Sequence, residues 1–132
     1  MIQLQKATDG KYRQQISIRT HHIYADVSQA LGGEDSAPSP HDLFDTSLMS
    51  CTAITLTMFA QRRGMPLESI NVQLTRDDSQ EKQGDYGLSM ALDFVGPLTD
   101  EQRQQLFAIV EKCPIHKLMS HGRIQIRTQL KG

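Results

Sequence analysis

Cys51 and Cys113 are the only two cysteines in the sequence, and each stands in a setting that bears on thiol chemistry. The thiolate, not the thiol, is the nucleophile in peroxide reduction and disulfide exchange, so the first question is which setting favours ionisation. Cys113 directly precedes Pro114 in the run CPIHKLMS. Proline suits the first position of a helix, which puts Cys113 at or next to the N-cap, where free backbone N–H groups and the positive end of the helix dipole favour a negative sulfur. Cys51 lies inside SLMSCTAITLTMFAQRRG, residues 47–64. The surrounding helix has already used its amides there and the neighbours are apolar, so desolvation is expected to raise the pKa of Cys51. A reactive Cys51 needs a cation or a hydrogen-bond donor from elsewhere. The competing reading is that both cysteines are small buried hydrophobes.

The candidate helpers are few. His41 stands ten residues before Cys51 on the same helix, about 15 Å away along the axis. It can reach a thiol only from a second chain whose helix packs antiparallel across a twofold axis. Arg13 and Arg19 fall on N-terminal strands, and His116 follows Cys113 by three residues; a solvated strand face or helix surface is the competing role for each. There is no CxxC, no HExxH and no carboxylate cluster at ligand spacing, so neither a metal site nor another cofactor is expected.

The elements that must position these residues are legible in the periodicity. At 132 residues the chain suits one domain with a real core. With 14 Lys+Arg against 15 Asp+Glu, nothing marks a nucleic-acid or anionic-membrane face. The N-terminus has neither a charged n-region nor an apolar h-region, and the longest apolar run is broken by Ser, Thr and Gln. A cytoplasmic protein without a membrane span is therefore expected, and in that reducing compartment any disulfide should be transient and catalytic. IQL, then YRQQISIR with Ile16 and Ile18 on one face, then IYADV read as three short strands, the first two joined by a hairpin at TDGK. The loop LGGEDSAPSP leads to a strong helix start: Ser39 as cap, Pro40 at the first position and Asp42 completing a capping box. Arg62, Arg63 and Gly64 stop that helix. Leu43, Phe44, Leu48, Cys51, Ile54, Thr55, Met58 and Phe59 form one apolar stripe, and Met49, Ala53, Leu56 and Ala60 occupy another side. A helix apolar all round must be buried all round, so a second subunit is expected to cover part of it. SINVQLTRD and GLSMALDFVG follow as a strand pair, LTDEQRQQLFAIVEKC as an amphipathic helix capped by Thr99 and Gln102, PIHKLMS as a second short helix, and RIQIRTQL as a last strand.

SPHDLFDTSLMSCTAITLTMFAQRRG, the later CPIHKLM and the upstream HHIYADVSQALGGEDSAPSP together resemble the shorter OsmC-like branch of the OsmC/Ohr family of osmotically inducible and organic-hydroperoxide-resistance proteins. The resemblance covers most of the chain. It implies an α+β fold, an intertwined homodimer with long central helices packed against antiparallel sheets. It also implies a thiol peroxidase in which Cys51 attacks an organic hydroperoxide, becomes a sulfenic acid and condenses with Cys113, the disulfide being reopened by a dithiol reductant. The chain departs from the family pattern at one point. Active members carry Glu ten residues before the helix cysteine and an Arg that pairs with it, whereas here His41 occupies that position and no Arg lies between Arg19 and Arg62. His41 and Arg19 are the candidates for the vacant activating role. The alternative is a non-catalytic dimer of the same fold that binds a small apolar or thiol ligand at the subunit interface.

Overall fold

Alternation in the first residues produces a three-stranded meander. In the computed structural model, which describes residues 1–132, β1 (Ile2–Lys6), β2 (Gln14–Ile18) and β3 (His21–Ala25) form an antiparallel sheet in the order β1-β2-β3. Ile2 faces Ile18, and Leu4, Ile16 and Ile23 stand in one cross-strand row, so one face of the sheet is aliphatic. Ile2, Leu4 and Ile23 on that face are exposed. Arg19 and Thr20 form the turn from β2 to β3, with Arg19 in the left-handed region at φ 56°.

The connection from β3 to the long helix is tied down by one carboxylate. Asp26 is buried and accepts hydrogen bonds from the Val27 N–H at 2.8 Å, the Ser36 N–H at 3.0 Å and the Ser36 hydroxyl at 2.6 Å. Its own N–H donates to the Pro38 carbonyl at 3.1 Å. The loop is thereby closed immediately before the capping box, in which Ser39 and Asp42 exchange side-chain to backbone bonds at 3.0 and 3.1 Å. Helix α1 then runs from Pro40 to Arg62. The chain groups into two compact units, residues 1–46 and 47–132, and α1 is continuous through the boundary.

In the second unit β4 (Ser69–Asp77) and β5 (Gly87–Val95) pair antiparallel, with Ile70 opposite Phe94, Val72 opposite Leu92 and Leu74 opposite Met90. Helix α2 (Asp100–Ala108) opens with the Thr99–Gln102 capping box, and α3 (Pro114–His121) follows a single short turn. Leu56 and Ala60 of α1 meet Leu106 of α2 in a fully enclosed cluster, with Phe59, Ile70, Leu92 and Phe94 packed around it. Burying side chains the size of Leu56 and Leu106 stabilises the unit by roughly 1.5–3 kcal/mol each. The Arg103 guanidinium fastens α2 to the end of β5 by donating to the carbonyls of Phe94 at 2.7 Å and Gly96 at 3.1 Å. Gly96 itself has φ 139°, and a β-carbon there would lie 2.3 Å from the Pro66 carbonyl oxygen, so only glycine fits.

One expectation needs revising. The alternating stretch Arg123–Leu130 forms no strand, and Ile124, Ile126 and Leu130 are exposed. Alternation specifies which face each side chain would take, but a strand exists only where another strand accepts its backbone bonds, and within one chain no edge does so. On α1, the Leu56 and Ala60 side is enclosed by the chain's own core, whereas the opposite side carries the exposed Phe44, Ile54 and Met58. The exposed apolar side of α1 is therefore the Ile54 side.

The hydrogen bonds from the Ser36 hydroxyl, the Ser36 amide and the Val27 amide, opposed only by burial, lower the Asp26 pKa from 3.8 to about 2. A carboxyl depressed on folding contributes stability above its unfolded value and loses it as pH falls through the folded one. Asp26→Asn should therefore unfold in less denaturant than the native sequence at neutral pH, with the difference shrinking as pH drops from 3.8 towards about 2. A difference that stays constant over that range would show that the carboxylate charge contributes nothing.

Candidate active site

The start of α3 supplies backbone donors to sulfur. Cys113 is the N-cap of α3 with Pro114 behind it, and its Sγ accepts the His116 N–H at 3.4 Å. This is the position that the Cys-Pro dipeptide predicts, because proline at the first helical position wastes no donor. Cys113 is 0% exposed, whereas Cys51, from the middle of α1, is half-buried; both are free thiols. The two thiols are near enough to act on each other's ionisation. The Ile115 amide also lies close enough to lower the Cys51 pKa, and the Cys51 sulfur stands 4.0 Å from the Thr55 hydroxyl oxygen.

This arrangement separates the two thiols electrostatically. Burial pushes Cys51 up, but hydrogen bonds from the Cys113 thiol, the Ile115 amide and the Thr55 hydroxyl outweigh it and leave its pKa below the usual 9.0. Burial also pushes Cys113 up; donating to Cys51, and lying beside its negative charge, raises it further against the weaker help of the His116 and Ile115 amides. When one of the two thiols ionises, Cys51 is therefore favoured to carry the charge and Cys113 to keep its proton. That reverses the order expected from sequence position. The α3 terminus does favour a thiolate, but it shares its amides between two sulfurs, and the one that must also act as donor keeps its proton.

The remaining candidates occupy other places. His41 is exposed in the first turn of α1, and Arg19 is exposed at the β2–β3 turn. The Arg13 guanidinium lies 3.9 Å over the Tyr24 ring and 3.7 Å from Asp9. The His116 ring is 3.4 Å from the Ser120 hydroxyl, so this residue serves the site through its amide. The groups of the chain that lower the Cys51 pKa are a thiol, an amide and a hydroxyl, all neutral. Two of them were missed in the sequence. Thr55 had a signal, since residues four apart share a helix face; the Ile115 amide had none until α1 and α3 were packed together. No group of three or more His, Cys, Asp or Glu side chains is arranged to hold a metal ion.

A model of the family described as OsmC-like protein matches residues 33–129. No curated protein sequence matches the chain. Among solved structures, the chain is similar to an OsmC-like protein from Mycoplasma pneumoniae at 15% identity, with a TM-score of 0.73 over 92% of this chain and 86% of that one. It is similar to an organic hydroperoxide resistance protein, OsmC, from Legionella pneumophila at 20% identity and TM-score 0.63, covering 92% and 90%. The organic hydroperoxide resistance protein OhrB of Bacillus subtilis gives 17% identity and TM-score 0.60, covering 92% and 91%. At these identities the likeness is one of fold.

The shared proton has a direct test. Peptide-resolved alkylation by iodoacetamide as a function of pH should give Cys51 an inflection below 9.0, and Cys113→Ala should move that inflection upward by removing a donor. An unchanged inflection in the alanine variant would show that Cys113 does not carry the shared proton.

Proposed function

The chain belongs to the OsmC-like family, and on that premise we propose that it is a cytoplasmic thiol-dependent peroxidase that reduces organic hydroperoxides through Cys51 and Cys113 as a homodimer. The observation that carries the reading is the unequal setting of the two cysteines: a half-buried Cys51 whose pKa is lowered beside a fully buried Cys113 whose pKa is raised. The Cys51 thiolate attacks the terminal oxygen of ROOH. A sulfur–oxygen bond forms, the O–O bond breaks, and the leaving alkoxide takes up a proton as ROH. The oxidised Cys51 is a sulfenic acid, which the Cys113 thiol attacks; the S–S bond forms and water leaves. A dithiol reductant then returns both cysteines to thiols and is itself oxidised to a disulfide.

The apolar character of the substrate and the second subunit rest on one surface. Phe44, Cys51, Ile54 and Met58 recur at helical spacing along one side of α1, and Phe44, Ile54 and Met58 are 47%, 59% and 45% exposed. By length and hydropathy α1 would also match a membrane's width, but its Leu56 and Ala60 are enclosed by the chain's own core. An exposed apolar strip of this kind on α1 is the mark of an association surface. A second copy of the chain is the proposed cover. The neutral donors around Cys51 favour a slower thiol than a paired guanidinium would give.

Cys51→Ala should abolish consumption of cumene hydroperoxide in the presence of a dithiol, and peroxide-treated native protein should yield a linked Cys51–Cys113 peptide. Unchanged consumption by the alanine variant would remove the enzymatic reading and leave binding of a small apolar or thiol ligand in its place. In sedimentation, the native chain should run as a dimer at micromolar concentration and Ile54→Glu as a folded monomer, whereas Leu56→Glu should unfold because its site is the internal core.

A further inference from the structure

Three threonines follow Cys51 within six residues, and their hydroxyls are used differently. The Thr57 hydroxyl turns back onto its own helix and donates to the Ala53 carbonyl at 2.7 Å, the usual resting place of a threonine in mid-helix. The Thr52 hydroxyl is fully buried and has no partner. The Thr55 hydroxyl makes neither choice: it faces the Cys51 sulfur at 4.0 Å. Cys51 and Thr55 are one helical turn apart on the same face, and both are half-buried.

We infer that Thr55 is a positioning residue for the reactive thiol, its hydroxyl donating to the Cys51 sulfur and holding the thiolate in place on the exposed side of α1. The inference rests on Cys51 being the nucleophile. With a protonated thiol, either atom can donate and the bond has no fixed direction. An ionised sulfur has no proton, so only Thr55 can donate, and the bond becomes charge-assisted. Ionisation therefore both strengthens and orients the contact, which is how a neutral hydroxyl favours a thiolate.

Thr55 also differs from the other two donors in origin. Cys113 and Ile115 both come from the start of α3, whereas Thr55 belongs to the nucleophile's own helix. When Cys113 turns from donor to attacking thiol in the second half of the proposed reaction, its hydrogen bond to Cys51 is given up. Thr55 remains, because one helical turn of α1 fixes it relative to Cys51 whatever α3 does.

The test compares Thr55→Val, which keeps the shape and removes the hydroxyl, with Thr55→Ser, which keeps the hydroxyl. In peptide-resolved alkylation of the full chain, the valine variant should shift the Cys51 inflection upward by roughly half to one pH unit. Cys51 labelling at pH 7 should correspondingly slow about three- to tenfold. Serine should restore the native profile. If valine proves unfolded by circular dichroism, Thr55→Ala against Thr55→Ser makes the same comparison. A hydroxyl-free variant that titrates like the native chain overturns the inference. Peroxide consumption measured on the same proteins separates the two proposals. A moved inflection with no peroxide reduced by any of them sinks the peroxidase and leaves Thr55 as the thiolate's partner; normal peroxide reduction with an unmoved inflection sinks only the role of Thr55.

Discussion

The nearness of two sulfurs far apart in sequence is the constraint on which the site depends. For Cys113 to donate to Cys51, the middle of α1 and the first turn of α3 must be held together, and side chains elsewhere do that holding. Leu56 and Ala60, one to three turns beyond Cys51, are locked against Leu106 of α2. Arg103 fixes α2 to the end of β5 through the carbonyls of Phe94 and Gly96. Only a short turn then separates α2 from Cys113. The core thus does more than stabilise the unit: it sets the separation of two thiols that are far apart in sequence.

The way Cys51 is favoured as a thiolate differs in kind from a guanidinium partner. A cation acts over several ångströms and suffers its own desolvation when enclosed. The donors here act only at contact, and each is neutral, so none adds a buried charge. Their effect depends on geometry: the Ile115 N–H is available because it lies in the first turn of α3, where no preceding carbonyl claims it. Such a site loses its bias if α3 shifts or if its first turn frays, whereas a charged partner would tolerate more movement.

How much of this was legible follows from the range of each signal. Local signals were read correctly: the Ser39–Asp42 and Thr99–Gln102 capping boxes stand as expected, and Cys113-Pro114 opens α3. Nonlocal outcomes were not. The sequence reading gave the lower pKa to Cys113 from its N-cap position, which is sound for an isolated helix and fails once Cys51 is packed against the same amides. The Arg123–Leu130 alternation is a true β pattern whose partner edge is missing within one chain. For α1, periodicity detected that every side is apolar but not which side, Leu56 or Ile54, the chain would use for itself.

Unequal access to the two sulfurs matters as much as their unequal acidity. Any sulfur open to peroxide can be driven past the sulfenic acid to states that dithiols do not reverse. Cys113 has no exposed surface and a raised pKa, so both its accessibility and its ionised fraction are low. In the proposed cycle its one reachable electrophile is the sulfenic sulfur of Cys51, created next to it. Formation of that sulfenic acid also ends the negative charge on Cys51, and with it one of the reasons that Cys113 retains its proton. The first chemical step therefore prepares the second: the group that favoured the nucleophile by keeping a proton becomes easier to ionise once that nucleophile has been consumed.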